Sequence, residues 1–97
     1  MIFWGELMAR ETIYADRVLN FLEELAPILK SSHHTQQAER VEGAIKHYIF
    51  PLTSEFYGVA MMALRNAVDN APDALTTEQL GRARYFADQI KAQWFSA

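Results

Sequence analysis

The side chains best equipped for chemistry in this 97-residue chain are three histidines, His33, His34 and His47, and the carboxylates near them. A metal site in a helical bundle needs carboxylates and histidines converging from facing helices. Its usual signature is Glu-x-x-His, which puts both ligands on one helical face. That spacing does not occur here. Glu39 and Glu42 share a face, but His47 falls five residues past Glu42 and points elsewhere. Adjacent histidines between helices read as solvated loop residues. No metal and no cofactor is expected.

Nucleophilic catalysis fares no better. The chain has no cysteine and no Gly-x-Ser-x-Gly elbow. The four glycines stand at 5, 43, 58 and 81, too scattered to build a phosphate-cradling loop. Glu42 with Lys46, and Glu78 with Arg82, are spaced four apart and read as surface pairs on helices. An enzyme is not expected. A lesser candidate is an anion site, in which Arg82, Arg84 and Tyr85 meet Lys46 or His47 from another helix. Such a site would hold a nucleotide-like ligand between helices or protomers.

Composition sets the frame for these side chains. Half the residues are hydrophobic (51%), only 22% are charged, and the net charge is -3. That is too apolar for a disordered chain and too balanced for a nucleic-acid coat. One domain spanning 1–97 is the natural size. No apolar run is long enough for a transmembrane helix, and the start lacks a basic leader region. A cytoplasmic protein with no membrane contact is expected. Trp4-Gly5-Glu6-Leu7 must be encoded by a purine-rich string just ahead of Met8, like a bacterial ribosome-binding site. Residues 1–7 are thus either an upstream extension of a bacterial or phage gene, with Met8 the natural start, or an apolar segment packed on the bundle.

Three helical segments must position everything above. Segment A, roughly Gly5 to Lys30, repeats Leu7, Tyr14, Val18, Phe21, Leu25 and Ile28 at helical steps, and Pro27 should kink or shorten its last turn. Segment B, roughly Gln36 to Asn70, repeats Val41, Ile45, Tyr48, Leu52, Phe56, Val59 and Ala63. That stripe stays in phase across Pro51, which favours one long kinked helix over two. Segment C, roughly Thr77 to Trp94, opens with a capping box in Thr76 and Gln79 and a hydrophobic staple of Leu75 and Leu80. Its buried stripe is Leu80, Ala83, Ala87, Ile90 and Trp94. The opening of segment C looks like a helix-turn-helix unit. However, no second helix follows, and the acids Asp73, Glu78 and Asp88 offset the bases Arg82, Arg84 and Lys91, so no nucleic-acid face is expected.

The expected fold is all-α: an up-down-up three-helix bundle with a kinked central helix, or a four-helix bundle if the chain breaks at Pro51. One stretch strains the three-helix version. Phe56 to Leu64 contains no charged residue, so on a helix it is apolar on every face and needs cover on every face. A second copy of the chain would supply it, making Phe56, Tyr57, Val59, Met61, Met62 and Leu64 the candidate interface of a homodimer. In the four-helix version the chain covers the run itself. Functionally, the sequence points to a small non-enzymatic module of the adaptor, chaperone or inhibitor type. It would self-associate through its central helix and dock a partner protein. The second reading is a small-ligand binder with a pocket between helices or protomers.

Overall fold

The computed structural model describes residues 14–49 and 54–95. Among these it is an all-α bundle of four helices with no strand: α1 (Ala15–Ser31), α2 (Thr35–Lys46), α3 (Ser54–Asn70) and α4 (Thr77–Ile90). A short 3-10 turn, Pro72–Ala74, joins α3 to α4, and a π turn, Lys91–Phe95, follows α4. Residues 1–7, and with them the alternative start at Met8, lie outside the described residues, as do Pro51 and Leu52.

Each helix forms because one stripe of it can be buried. On α1 the buried line is Val18, Phe21, Leu22, Leu25 and Leu29, at steps of three and four. Tyr14, part of the expected stripe, is exposed. Pro27 does not stop α1, which continues to Ser31. The carbonyl that loses its partner there belongs to exposed Glu23, where water can serve it. The helix then closes with a Schellman motif. His33 N–H donates to the Lys30 carbonyl (3.2 Å) and His34 N–H to the Leu29 carbonyl (2.9 Å). This geometry puts His33 in the left-handed region, at φ 67°.

Segment B is two helices, so the four-helix version of the fold holds and the single kinked helix does not. Helix α2 ends at Lys46 and is capped by His47, whose Nδ1–H donates to the Gly43 carbonyl at 2.9 Å. The continuous stripe misleads for a simple reason. Seven residues separate Lys46 from Ser54, the length of two helical turns, so a break there preserves phase. The start of α4 is as expected. The Thr76 hydroxyl accepts from Gln79 N–H (3.1 Å), and the Gln79 side chain accepts from Thr76 N–H (3.0 Å). Leu75 is buried and Leu80 packs against the core.

The far end of α4 departs from the expected stripe. Its buried face is Ala83, Phe86, Ala87 and Ile90. The π turn then inserts an extra residue and re-aims the side chains beyond Ile90. Trp94 is 47% exposed rather than in the core, and its ring stacks on Tyr57 (centroids 4.5 Å apart, planes at 14°). Phe95 lies against Gly58, where an added Cβ would meet its ring at 3.3 Å.

Side-chain size decides how the helices meet. Apart from Phe56, Tyr57 and Leu64, α3 buries alanines: Ala60, Ala63 and Ala67. Helix α2 offers Ala38, Val41 and Ala44, and α4 offers Ala83 and Ala87 beside Phe86 and Ile90. Small residues let backbones approach, and α1/α2, α2/α3 and α3/α4 pack closely. The remaining seam, α1/α4, is spanned by long side chains instead. Phe21 and Phe86 meet there with centroids 5.4 Å apart. No polar or charged residue is buried in the core among the described residues.

Candidate functional site: the groove between α1 and α4

Because two phenyl rings hold α1 and α4 apart, their outer edges diverge and leave a groove of about 600 Å³. Arg17 and Asn20 line it from α1, and Glu78, Gly81, Arg82, Tyr85 and Phe86 from α4. The α4 residues at 78, 81, 82 and 85 follow the i, i+3, i+4, i+7 rule and so share one face. Arg82 is the hinge of the arrangement. Its guanidinium lies 4.7 Å from the centre of the Phe21 ring and 3.4 Å from Glu24 Oε1. Gln79 Nε2 also donates to Glu24, at 3.0 Å. Glu24 is therefore held by α4 from two directions. Glu78, expected to pair with Arg82, does not do so, because Glu24 takes Arg82 across the seam. Tyr85 is half exposed and packs edge-on to Phe86.

The anion site expected from Lys46, His47, Arg82, Arg84 and Tyr85 is not assembled. Arg82 and Tyr85 do share the groove. Arg84 points the other way, into a cleft of about 200 Å³ between α3 and α4 that also holds Arg65 and Asp88, themselves 3.7 Å apart. Lys46 and His47 sit at the end of α2, where His47 Nε2 lies 3.6 Å from Oε2 of Glu55 in the first turn of α3. These residues fall on different faces because α2 packs on α1 and α3, not on α4.

The candidate self-association surface also changes. Phe56 and Leu64 are fully buried and Tyr57 is 7% exposed, so all three belong to the protomer's own core. Val59 and Met61 are half-buried and pack against that core. Met62 is exposed and lines a shallow cleft of about 320 Å³ with Arg40, Gly43, His47, Val59 and Ala63. Breaking segment B in two lets the protomer itself cover Phe56, Tyr57 and Leu64, and leaves Met62 open. The Tyr57 hydroxyl is pushed above its usual value, first by burial and then by the nearby Tyr48 and Asp16.

The loop histidines are not both solvated. His34 is partly buried, and its Nε2 lies 3.2 Å from Asp73 Oδ2, tying the α1/α2 corner to the turn before α4. That hydrogen bond is the main reason the Asp73 carboxyl sits below the ordinary range, with its own backbone amide adding to the effect. No group of three or more His, Cys, Asp or Glu comes together in a metal-binding arrangement among the described residues, and no described helix is long and apolar enough to cross a membrane.

Sequence reasoning missed Arg17, Asn20, Gly81 and Phe86. One signal was available. Gly81 stands inside a helix, where glycine costs about 1 kcal/mol relative to alanine, so its position asks for a reason. The pairing of α1 with α4 carried no signal within either stripe. No protein family, curated protein or solved structure matches the chain.

Proposed function

We propose that this protein is a non-catalytic protein-interaction module whose working surface is the groove between α1 and α4. The observation behind this reading is an open seam lined by Arg17, Arg82, Tyr85 and Phe86 around a glycine. Arginine and tyrosine are the residues that most often anchor protein interfaces, because they combine wide contact area with directional hydrogen bonds. Two helical walls with a shallow floor suit a partner helix, as in helix-in-groove recognition. No side chain in the groove is arranged as a nucleophile with its base.

The competing reading is a small-anion binder, favoured by the two guanidinium groups in one groove. A pair of measurements separates the two. Tagged wild-type chain and an Arg17→Ala/Tyr85→Ala variant are used to capture partners, and both are melted with a panel of nucleotides and carboxylates. The module reading expects a stoichiometric protein partner, itself or another, that the double variant loses, and no thermal shift with any metabolite. A metabolite that raises the melting temperature of the wild type but not of the variant would overturn it, since only a ligand of the folded state stabilises in this way.

A further inference from the structure

The charge pattern of the groove goes beyond this reading, while resting on it, and points to a particular partner. The register of the seam is set by two contacts: Phe21 meets Phe86, and Glu24 meets Arg82. Numbers rise on α1 as they fall on α4, so the two helices run antiparallel. Arg17 precedes Glu24 by two turns and therefore lies toward the Tyr85 end of the groove. Glu78 lies at the opposite end. Arg17 has no carboxylate partner among the described residues; its guanidinium is 5.9 Å from the Tyr14 ring. Glu78 has no basic partner among the described residues, because Arg82 is turned to Glu24. Gly81 lies midway between Glu78 and Tyr85, and a Cβ added there would meet nothing within 4 Å.

We propose that the groove takes the same groove of a second copy. The two α4 helices would cross antiparallel at their Gly81 residues, and Glu78 of each protomer would reach Arg17 and Tyr85 of the other. A two-fold interface requires a patch that is its own complement, since every contact is made twice with the roles exchanged. This groove has that property: an acid at one end and a base at the other, each without an oppositely charged partner among the described residues, and the smallest residue at the centre. Glu78 and Tyr85 stand about 10 Å apart along α4, seven residues at ~1.5 Å each, so the rotation that superposes the glycines brings Glu78 to the partner's Tyr85 end of the groove, the end toward which Arg17 lies. Opposite charges steer the two copies into this register, and like charges penalise others.

The test is sedimentation velocity on the full chain from about 1 μM to about 1 mM, the range in which a weak to moderate dimer appears. Wild type is expected to dimerise. Glu78→Arg and Arg17→Glu should each weaken the dimer at least ~10-fold, because each creates two like-charge contacts. An equimolar mixture of the two variants should recover a heterodimer, because both cross-contacts then pair opposite charges. Both residues are exposed, and unchanged circular-dichroism spectra at a concentration where the wild type is monomeric would confirm that the variants fold. A wild type that stays monomeric across the range overturns the proposal, as do variants that dimerise like wild type or a mixture that gains nothing. A monomeric wild type that still captures another protein through Arg17 and Tyr85 overturns the second copy and leaves the interaction module standing. A monomer that captures nothing overturns both.

Discussion

Replacing Gly81 with alanine should stabilise the isolated protomer while weakening whatever packs on α4 from outside. Gly81 is interior to α4, and the new methyl would meet no atom within 4 Å. The folded state therefore gains alanine's helix preference, up to about 1 kcal/mol, without a steric cost. Part of that gain arises in the unfolded chain, which has fewer conformations to lose. Two internal controls sharpen the estimate. Gly43 in α2 is equally open, so Gly43→Ala should gain a similar ~0.5–1 kcal/mol. Gly58→Ala brings a methyl to 3.3 Å from the Phe95 ring, so part of its gain is lost in moving that ring. The expected order is Gly81→Ala equal to Gly43→Ala, with Gly58→Ala below both. Urea unfolding monitored by circular dichroism reads this directly, provided the slope is unchanged. It should be run well below any dimer dissociation constant, because association adds to apparent stability. For a domain of this size, each kcal/mol corresponds to roughly 4–8 °C in Tm. A loss of stability in Gly81→Ala at low concentration would refute the reasoning, since it would mean that the space beside residue 81 is filled.

Three further outcomes are expected from particular contacts. His33→Gly should stabilise by about 0.5–1 kcal/mol, because φ 67° strains a residue with a Cβ and the flexibility of glycine gives back only part of that relief; urea unfolding checks it. Met62→Asp should change stability by less than about 0.5 kcal/mol, because Met62 is 61% exposed despite lying in the apolar run, and a collapse in the melting curve would show that its face is covered. The Asp73 carboxyl is held below its ordinary 3.8 by the His34 ring. A lowered carboxylate value means that the contribution is present above the unfolded value and is lost as pH falls through the range below about 4. An NMR titration should therefore find the Asp73 midpoint rising toward 3.8 in His34→Ala, and an unmoved midpoint would dismiss the pairing.

The features legible in the sequence are those that depend on near neighbours along the chain. The Thr76 and Gln79 capping box needs only three residues of spacing, and it is present as expected. The Val18, Phe21 and Leu25 stripe needs only helical periodicity, and all three are buried. The break between Lys46 and Ser54 is hidden because seven residues keep a helical phase whether or not they are helical. The stripe misplaces Trp94 because the π turn adds one residue after Ile90, and Lys91 to Phe95 contain no proline or glycine to announce it. Local spacing assigns Arg82 to Glu78, but Glu24 lies across the seam and takes it. Errors of this last kind concern which helices face each other, and a single stripe does not carry that information.

The groove and the covered central run share one physical origin. Buried alanines on α2, α3 and α4 let α3 pack closely on both of its neighbours, which brings cover to part of the apolar run. The bulk that this packing lacks is concentrated elsewhere, in Phe21 on α1 and Phe86 on α4. Two rings of that size cannot interdigitate as alanines do, so the seam that holds them stays open at its outer edge. Arg82 then lies over the ring of buried Phe21, its charge attracted by the ring and anchored by Glu24. This leaves Arg17 and Glu78 without partners among the described residues, one toward each end of the groove. Within the apolar run Phe56, Tyr57 and Leu64 are buried by the protomer itself while Met62 stays exposed, and the charged surface just described lies along the seam that Phe21 and Phe86 span.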